Sequence, residues 1–250
     1  MCYNKYVIDG GINMKKKVVK KDRKIKNHDV SKRISTLQKE IIVLFVLVLG
    51  LITFIGIQIL FVNPSKKEIK IINKAIDDNY VFLGDSITEG YDLEEFFPDK
   101  PVINSGVSGY RAKDLLSRLD NMVYRYNPSK VFLLIGTNDI AIGKDKDYII
   151  ERIGKIIDEI KLNRKYTEIY VESIYPINSN KIKNRSNNFI NELNNEIQLL
   201  CKEKEVKYIN VHKLLLDENG ELSENYSDDG LHLTYEGYEV VTEKLEKYLK

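Results

Sequence analysis

The chain has 250 residues, 43% of them hydrophobic and 30% charged, with a formal net charge of +2. This length and apolar content provide for one domain of ordinary size with segments to spare, and exclude a wholly disordered chain. Two cysteines without CxxC spacing exclude a disulfide framework and a zinc-ribbon type of site, and the near-neutral charge gives no nucleic-acid signal.

The charge is unevenly placed. Residues 1–40 hold 12 Lys and Arg against 4 Asp and Glu, and the remainder holds 27 against 33. The first 40 residues have few apolar positions and no sustained period, so they read as a basic, largely disordered cytoplasmic tail. The basic run from Met14 looks like a more natural start than Met1.

Ile41–Val62 is an uncharged run of 22 residues, 18 of which are Ile, Leu, Val or Phe. As a helix it spans about 33 Å, enough for a hydrocarbon core of roughly 30 Å. It is longer than a signal-peptide apolar region and lacks an Ala-x-Ala cleavage site, which predicts an uncleaved single-pass anchor in the cell membrane. The basic leading flank places the N-terminus inside and everything after residue 62 outside. Cys2 and Cys201 then lie on opposite sides of the membrane and cannot pair. Cys201 reads as a packed or idle thiol. Residues 63–79 form a short linker.

From residue 80 onward, apolar runs alternate with helical patterns. The strand-like runs are 80–84, 101–106, 130–136, 168–175 and 206–211. Between them, Leu115/Leu116/Leu119/Met122/Val123, Ile149/Ile153/Ile156/Ile160, Ile190/Leu193/Ile197/Leu200 and Tyr238/Val241/Leu245/Tyr248 give helical stripes. Five short strands alternating with helices predict a five-stranded parallel sheet covered on both faces, with ligands beyond the carboxyl ends of the strands.

Four loops there carry chemistry. "GDS" at 84–86 ends the first strand on a hydroxyl, although it also suits a turn. "NSGVSGY" at 104–110 has glycines that permit close backbone approach, or simply a tight turn. "GTNDI" at 136–140 offers the Asn138 amide as a donor, or Asn138 or Asp139 as a helix cap worth about 1 kcal/mol. "DDGLHLTYEGY" at 228–238 sets Asp229 three residues before His232. Of three histidines, His28 lies in the tail, and His212 reads as structural or surface. His232 is left as the proton-transfer candidate.

The pieces fit one mechanism. A serine hydroxyl needs a base, imidazole titrates in the right range, and a carboxylate fixes its tautomer. Charge on the attacked carbonyl oxygen needs preorganised donors, which the Ser86 and Gly109 backbone N–H groups and the Asn138 amide can supply.

In these blocks and their order, residues 78–250 resemble the SGNH (GDSL-type) hydrolases. The resemblance implies a flavodoxin-like three-layer α/β fold. It implies Ser86 as nucleophile, His232 as base, Asp229 as its partner, and an oxyanion hole of Ser86, Gly109 and Asn138. Gly109 is preferred to Gly106 because it follows Ser108 in the family's Ser-Gly pairing. No metal or organic cofactor is implied. No GxSxG elbow occurs.

The expectation is therefore a membrane-anchored extracytoplasmic serine esterase that forms an acyl-enzyme. Its partners are an ester substrate and the membrane, with no nucleic acid. O-acetyl groups of cell-wall or surface glycans are one substrate class, and a lysophospholipase or thioesterase is the alternative. Phe96 and Phe97 are candidates to shape an acyl pocket or to pack beneath their loop. From a different class, the fold can serve as a non-catalytic glycan-binding module.

Overall fold

A computed structural model describes residues 32, 33, 35–51, 53 and 77–249. The chain divides into two units, Met1–Ser65 and Lys66–Lys250. In the first, the described residues 35–51 are helical. Among the described residues no helix is long and apolar enough to cross a membrane. The expected span Ile41–Val62 lies partly outside them, at 52 and from 54 onward.

The second unit holds five parallel strands: β1 (Asp77–Gly84), β2 (Val102–Gly106), β3 (Pro128–Leu134), β4 (Glu168–Glu172) and β5 (Lys207–Ile209). The sheet order is β2-β1-β3-β4-β5, the flavodoxin-like order. β1 starts three residues before the predicted position, where Asp77 pairs with Pro128 ahead of a register shift. β4 and β5 end earlier than their apolar runs. Beyond β4, the Asn194 side chain takes over the backbone bonding, accepting from Ile174 N at 2.8 Å and donating to Ile174 O at 2.9 Å.

The helices are α1 (Ser86–Glu89), α2 (Leu93–Phe96), α3 (Ala112–Leu116), α4 (Leu119–Met122), α5 (Thr137–Ala141), α6 (Lys146–Asn163), α7 (Asn187–Glu203) and α8 (Tyr235–Leu245). The stripe at 115–123 is divided between α3 and α4, with the break at Ser117 and Arg118.

Strand alternation sorts the core into two faces. Val81, Leu83, Val131, Leu133, Ile169 and Val171 face the aliphatic stripes of α3, α4, α6 and α7. Their alternate neighbours Phe82, Phe132 and Tyr170 point the other way and stack in a row, with ring centroids 4.7 and 4.8 Å apart. α8 covers that aromatic face through Tyr238, Val241 and Leu245. Phe97 belongs to the same core, 5.9 Å from Phe82. It is 4% exposed, so it is a packing residue rather than the wall of an open pocket. Phe96 packs on Tyr91 and Tyr235. Cys201 is buried, and burial pushes its thiol up to about 12, as expected of a packed thiol.

Glu172 closes β4 and is buried, with Tyr175 Oη donating to Oε2 at 2.6 Å. Burial raises its carboxyl to about 7 against the lowering effect of that hydrogen bond. The folded chain thus binds this proton more tightly than the unfolded chain. The group's stabilising contribution is complete below its ordinary value of 4.5 and is lost as pH rises through about 7. Glu172→Gln should therefore raise Tm by several degrees at pH 8 and change it little at pH 4. Thermal melts at the two pH values test this.

Candidate active site

β1 pairs with β2 on one side and β3 on the other, so the connections leave its carboxyl end in opposite directions. A crevice opens at such a point. Ser86 follows β1, the 106–110 loop follows β2, and Asn138 follows β3. The 227–232 turn is brought to the same edge by the bond from Asn178 N to Gly230 O, 2.9 Å.

There Ser86 Oγ lies 2.9 Å from His232 Nε2, and His232 Nδ1 lies 2.6 Å from Asp229 Oδ2. Asp229 Oδ1 accepts from the backbone N–H groups of Leu231 and His232, both at 2.8 Å. Ser227 Oγ also donates to Oδ1, at 3.3 Å. Partial burial opposes ionisation of Asp229. The His232 hydrogen bond and the two backbone donors outweigh it, and hold the carboxyl at about 2. The carboxylate is therefore charged throughout the range in which imidazole titrates. The imidazole and carboxylate side chains are 46% and 53% exposed, so the pair stands open to solvent.

Asp85 precedes the serine and is 1% exposed. Its Oδ1 accepts from Ile87 N at 3.0 Å, which caps α1 and holds Ser86 at the first helical position. Among the described residues its Oδ2 has no hydrogen-bond partner. Burial raises this carboxyl to about 6, against the Ile87 N–H and the charges of His232 and Arg185.

The β2 loop is packed directly on the serine turn. A Cβ on Gly106 would sit 2.1 Å from Glu89 N, so only glycine lets the two backbones approach this closely. Asn104 clamps the same contact: Nδ2 donates to Thr88 O at 2.7 Å and Tyr91 O at 2.9 Å, while Oδ1 accepts from Gly106 N at 2.9 Å. Gly109 has φ 77° and is exposed at the turn. Ser108 N donates to Glu89 Oε2 at 3.2 Å.

Asn138 and Asp139 both reach across to this loop, and neither caps its own helix. The N-cap of α5 is Gly136, with no side-chain cap bond. Asn138 Nδ2 donates to Tyr110 O at 3.0 Å. Asp139 is fully buried, and its Oδ2 accepts from Ala112 N at 2.9 Å. The expected capping role for Asp139 is thus corrected: its partner is the first turn of α3, 27 residues away. Asp139→Ala should strand the Ala112 N–H and cost about 1–3 kcal/mol. Asp139→Asn keeps an acceptor and should melt above the alanine variant, which a thermal scan of both tests.

His212 is 3% exposed, with Nδ1 3.0 Å from Ile174 O, and burial lowers its pKa. Its ring contacts are Ile174 O and Asn194 Nδ2, in the core beyond β4. Among the described residues no cluster of His, Cys, Asp and Glu is arranged to hold a metal ion.

Sequence reasoning missed three residues of this edge. Asp85 and Asn104 stand inside the 84–86 and 104–110 blocks, where turn chemistry by itself accounts for an Asp or an Asn. Arg185 stands in an irregular segment with no motif to mark it. Its Nε donates to Thr137 O and Thr137 Oγ1, both at 3.0 Å, and its Nη2 lies 3.4 Å from Asn138 Oδ1.

A doubly covered parallel sheet with a hydroxyl–imidazole–carboxylate chain at its carboxyl edge is the architecture of a serine ester hydrolase. Residues 82–240 match the GDSL-like Lipase/Acylhydrolase family, and the chain belongs to that family. A protein of Streptococcus pneumonia, provisionally described as a platelet activating factor, has 35% identity and a TM-score of 0.67. That likeness covers 70% of this chain and 85% of the other. A GDSL-like lipase from Bacteroides thetaiotaomicron has the same fold at 24% identity and a TM-score of 0.62, covering 79% of this chain and 95% of the other. The N-acylneuraminate cytidylyltransferase of Escherichia coli is 27% identical over 191 residues, 76% of this chain but only 43% of that protein. The chain thus spans less than half the length of this curated relative.

Proposed function

We propose that this chain is a membrane-anchored esterase facing outward, and that it removes small acyl groups, O-acetyl above all, from cell-wall or surface glycans. The single observation that carries the catalytic assignment is the continuous linkage Ser86–His232–Asp229. In this reading His232 Nε2 takes the Ser86 Oγ proton as Oγ attacks the ester carbonyl carbon. The carbonyl π pair moves to oxygen, where the Ser86 and Gly109 N–H groups and the Asn138 amide hold the charge. The C–O bond to the alcohol then breaks, and the alcohol leaves with the proton from His232. Water, deprotonated by the same imidazole, attacks the acyl-enzyme; the bond from the carbonyl carbon to Ser86 Oγ then breaks, His232 returns the proton to Oγ, and the acid leaves.

The exposure of His232 and Asp229 supports a bulky alcohol portion, because a long-chain lipid ester calls for an apolar tunnel and Phe97 is packed into the core instead. Anchoring through Ile41–Val62 and the inside position of the basic tail rest on sequence: an uncharged 22-residue run with its cations ahead of it.

Two measurements test the proposal. The full chain in detergent is given 4-nitrophenyl acetate, longer-chain 4-nitrophenyl esters, O-acetylated glycan fragments and lysophospholipid, and acid release is followed. Preference for acetate on glycans is expected, whereas preference for lysophospholipid favours the lipid alternative. Protease added to intact cells should digest the catalytic domain, and full protection reverses the orientation.

A further inference from the structure

Arg185 has no part in the reaction as described so far. It lies in the irregular segment between β4 and α7, one residue before the N-cap of that helix. From there its half-buried guanidinium reaches the loop after β3 and holds it at two successive residues. Nε donates to Thr137 O and Oγ1, both at 3.0 Å, and Nη2 approaches Asn138 Oδ1 at 3.4 Å. Nη1 donates to the neighbouring Asn184 Oδ1 at 2.8 Å. Among the described residues its recorded hydrogen bonds all go to uncharged oxygens. The acid whose charge acts on it is the buried Asp85.

A carboxamide has two ends of similar shape and opposite hydrogen-bonding character. At Asn138 the Nδ2 end meets the Tyr110 carbonyl oxygen, and the Oδ1 end meets the Arg185 guanidinium. Flipping the amide would set N–H against N–H and carbonyl oxygen against carbonyl oxygen. Tyr110 and Arg185 together therefore allow one orientation. One Nδ2 hydrogen is used by Tyr110 O, which leaves the second for another acceptor. A cation at Oδ1 also polarises the amide and makes that hydrogen a better donor.

We propose that Arg185 is a positioning residue of the oxyanion hole: it orients and polarises the Asn138 carboxamide so that its second N–H meets the oxygen on which negative charge develops. The inference rests on the reading of Asn138 as an oxyanion donor and is independent of whether the natural ester is borne by a glycan or a lipid.

The test is a mutant cycle on the full chain with 4-nitrophenyl acetate, comparing wild type, R185K, R185Q, N138A and the double variant N138A/R185Q. Because Arg185 acts through Asn138, R185Q should lower kcat by about tenfold, less than loss of the donor itself, with KM little changed. R185K keeps a cation and a donor without the planar fork, and should recover part of the loss. In the N138A background R185Q should cost nothing further, since the group that it positions is gone. An arginine that merely staples the loop would lower Tm and cost the same kcat in both backgrounds, which overturns the proposal. So does wild-type kcat in R185Q while N138A is impaired. Wild-type kcat in N138A would overturn the oxyanion reading and this inference together. If R185Q folds poorly, R185K against N138A/R185K completes the cycle.

Discussion

His232→Ala should reduce kcat by on the order of 10⁶-fold, the size seen when one member of a serine–histidine–carboxylate unit is removed. The imidazole is the group that lies 2.9 Å from Ser86 Oγ, and Asp229 contacts the hydroxyl only through it. Without it the hydroxyl has no base, and the leaving alcohol has no acid. The control is His212→Ala. That imidazole is buried against Ile174 O, so its loss should lower Tm while leaving kcat within a few-fold of wild type. Steady-state kinetics and thermal scans of both variants decide the matter. Comparable losses of kcat would show that the base is wrongly assigned.

Asn138→Ala should lower kcat by about 10²–10³-fold with little change in KM, because a donor to the oxyanion acts mainly in the transition state. The nucleophile and base remain, so Ser86 should still react with a fluorophosphonate, more slowly. The lost bond to Tyr110 O is a half-buried side-chain contact, and its removal should cost little stability. Asp139→Ala gives the opposite profile, with Tm falling and the chemistry largely kept. An Asn138→Ala variant as active as wild type but melting lower would make Asn138 a structural tie to the 104–110 loop and nothing more.

The contrast between these neighbours shows what could be read in one dimension. Asn138 and Asp139 are chemically alike, and both occupy the first turn of α5. From sequence either one reads as a cap. Their actual partners, Tyr110 and Ala112, belong to the loop and helix after β2, and because β2 and β3 flank β1 the segments leaving their carboxyl ends meet across it. Phe96 and Phe97 make the same point. Two adjacent aromatics look equivalent, yet the pleated core takes Phe97 against Phe82 and leaves Phe96 against Tyr91 and Tyr235.

What the sequence determined by itself is what short-range chemistry and composition can carry. Apolar runs alternating with helical stripes specify a parallel sheet covered on both faces, because a strand buried on both sides has no polar positions to spare. Asp229 and His232 are three residues apart, within the span of one turn, so their pairing is written locally. Scarcity of histidine left His232 as the candidate base. Tertiary structure alone decided the support around these groups. Asp85 is buried beneath the serine, Asn104 clamps two loops, Asp139 anchors α3, and Arg185 reaches the loop that carries Asn138 from 47 residues away. The reason is physical. Each of these side chains has its role set by a backbone or side-chain partner far along the chain, and the strand order β2-β1-β3-β4-β5 is what brings those partners to one edge.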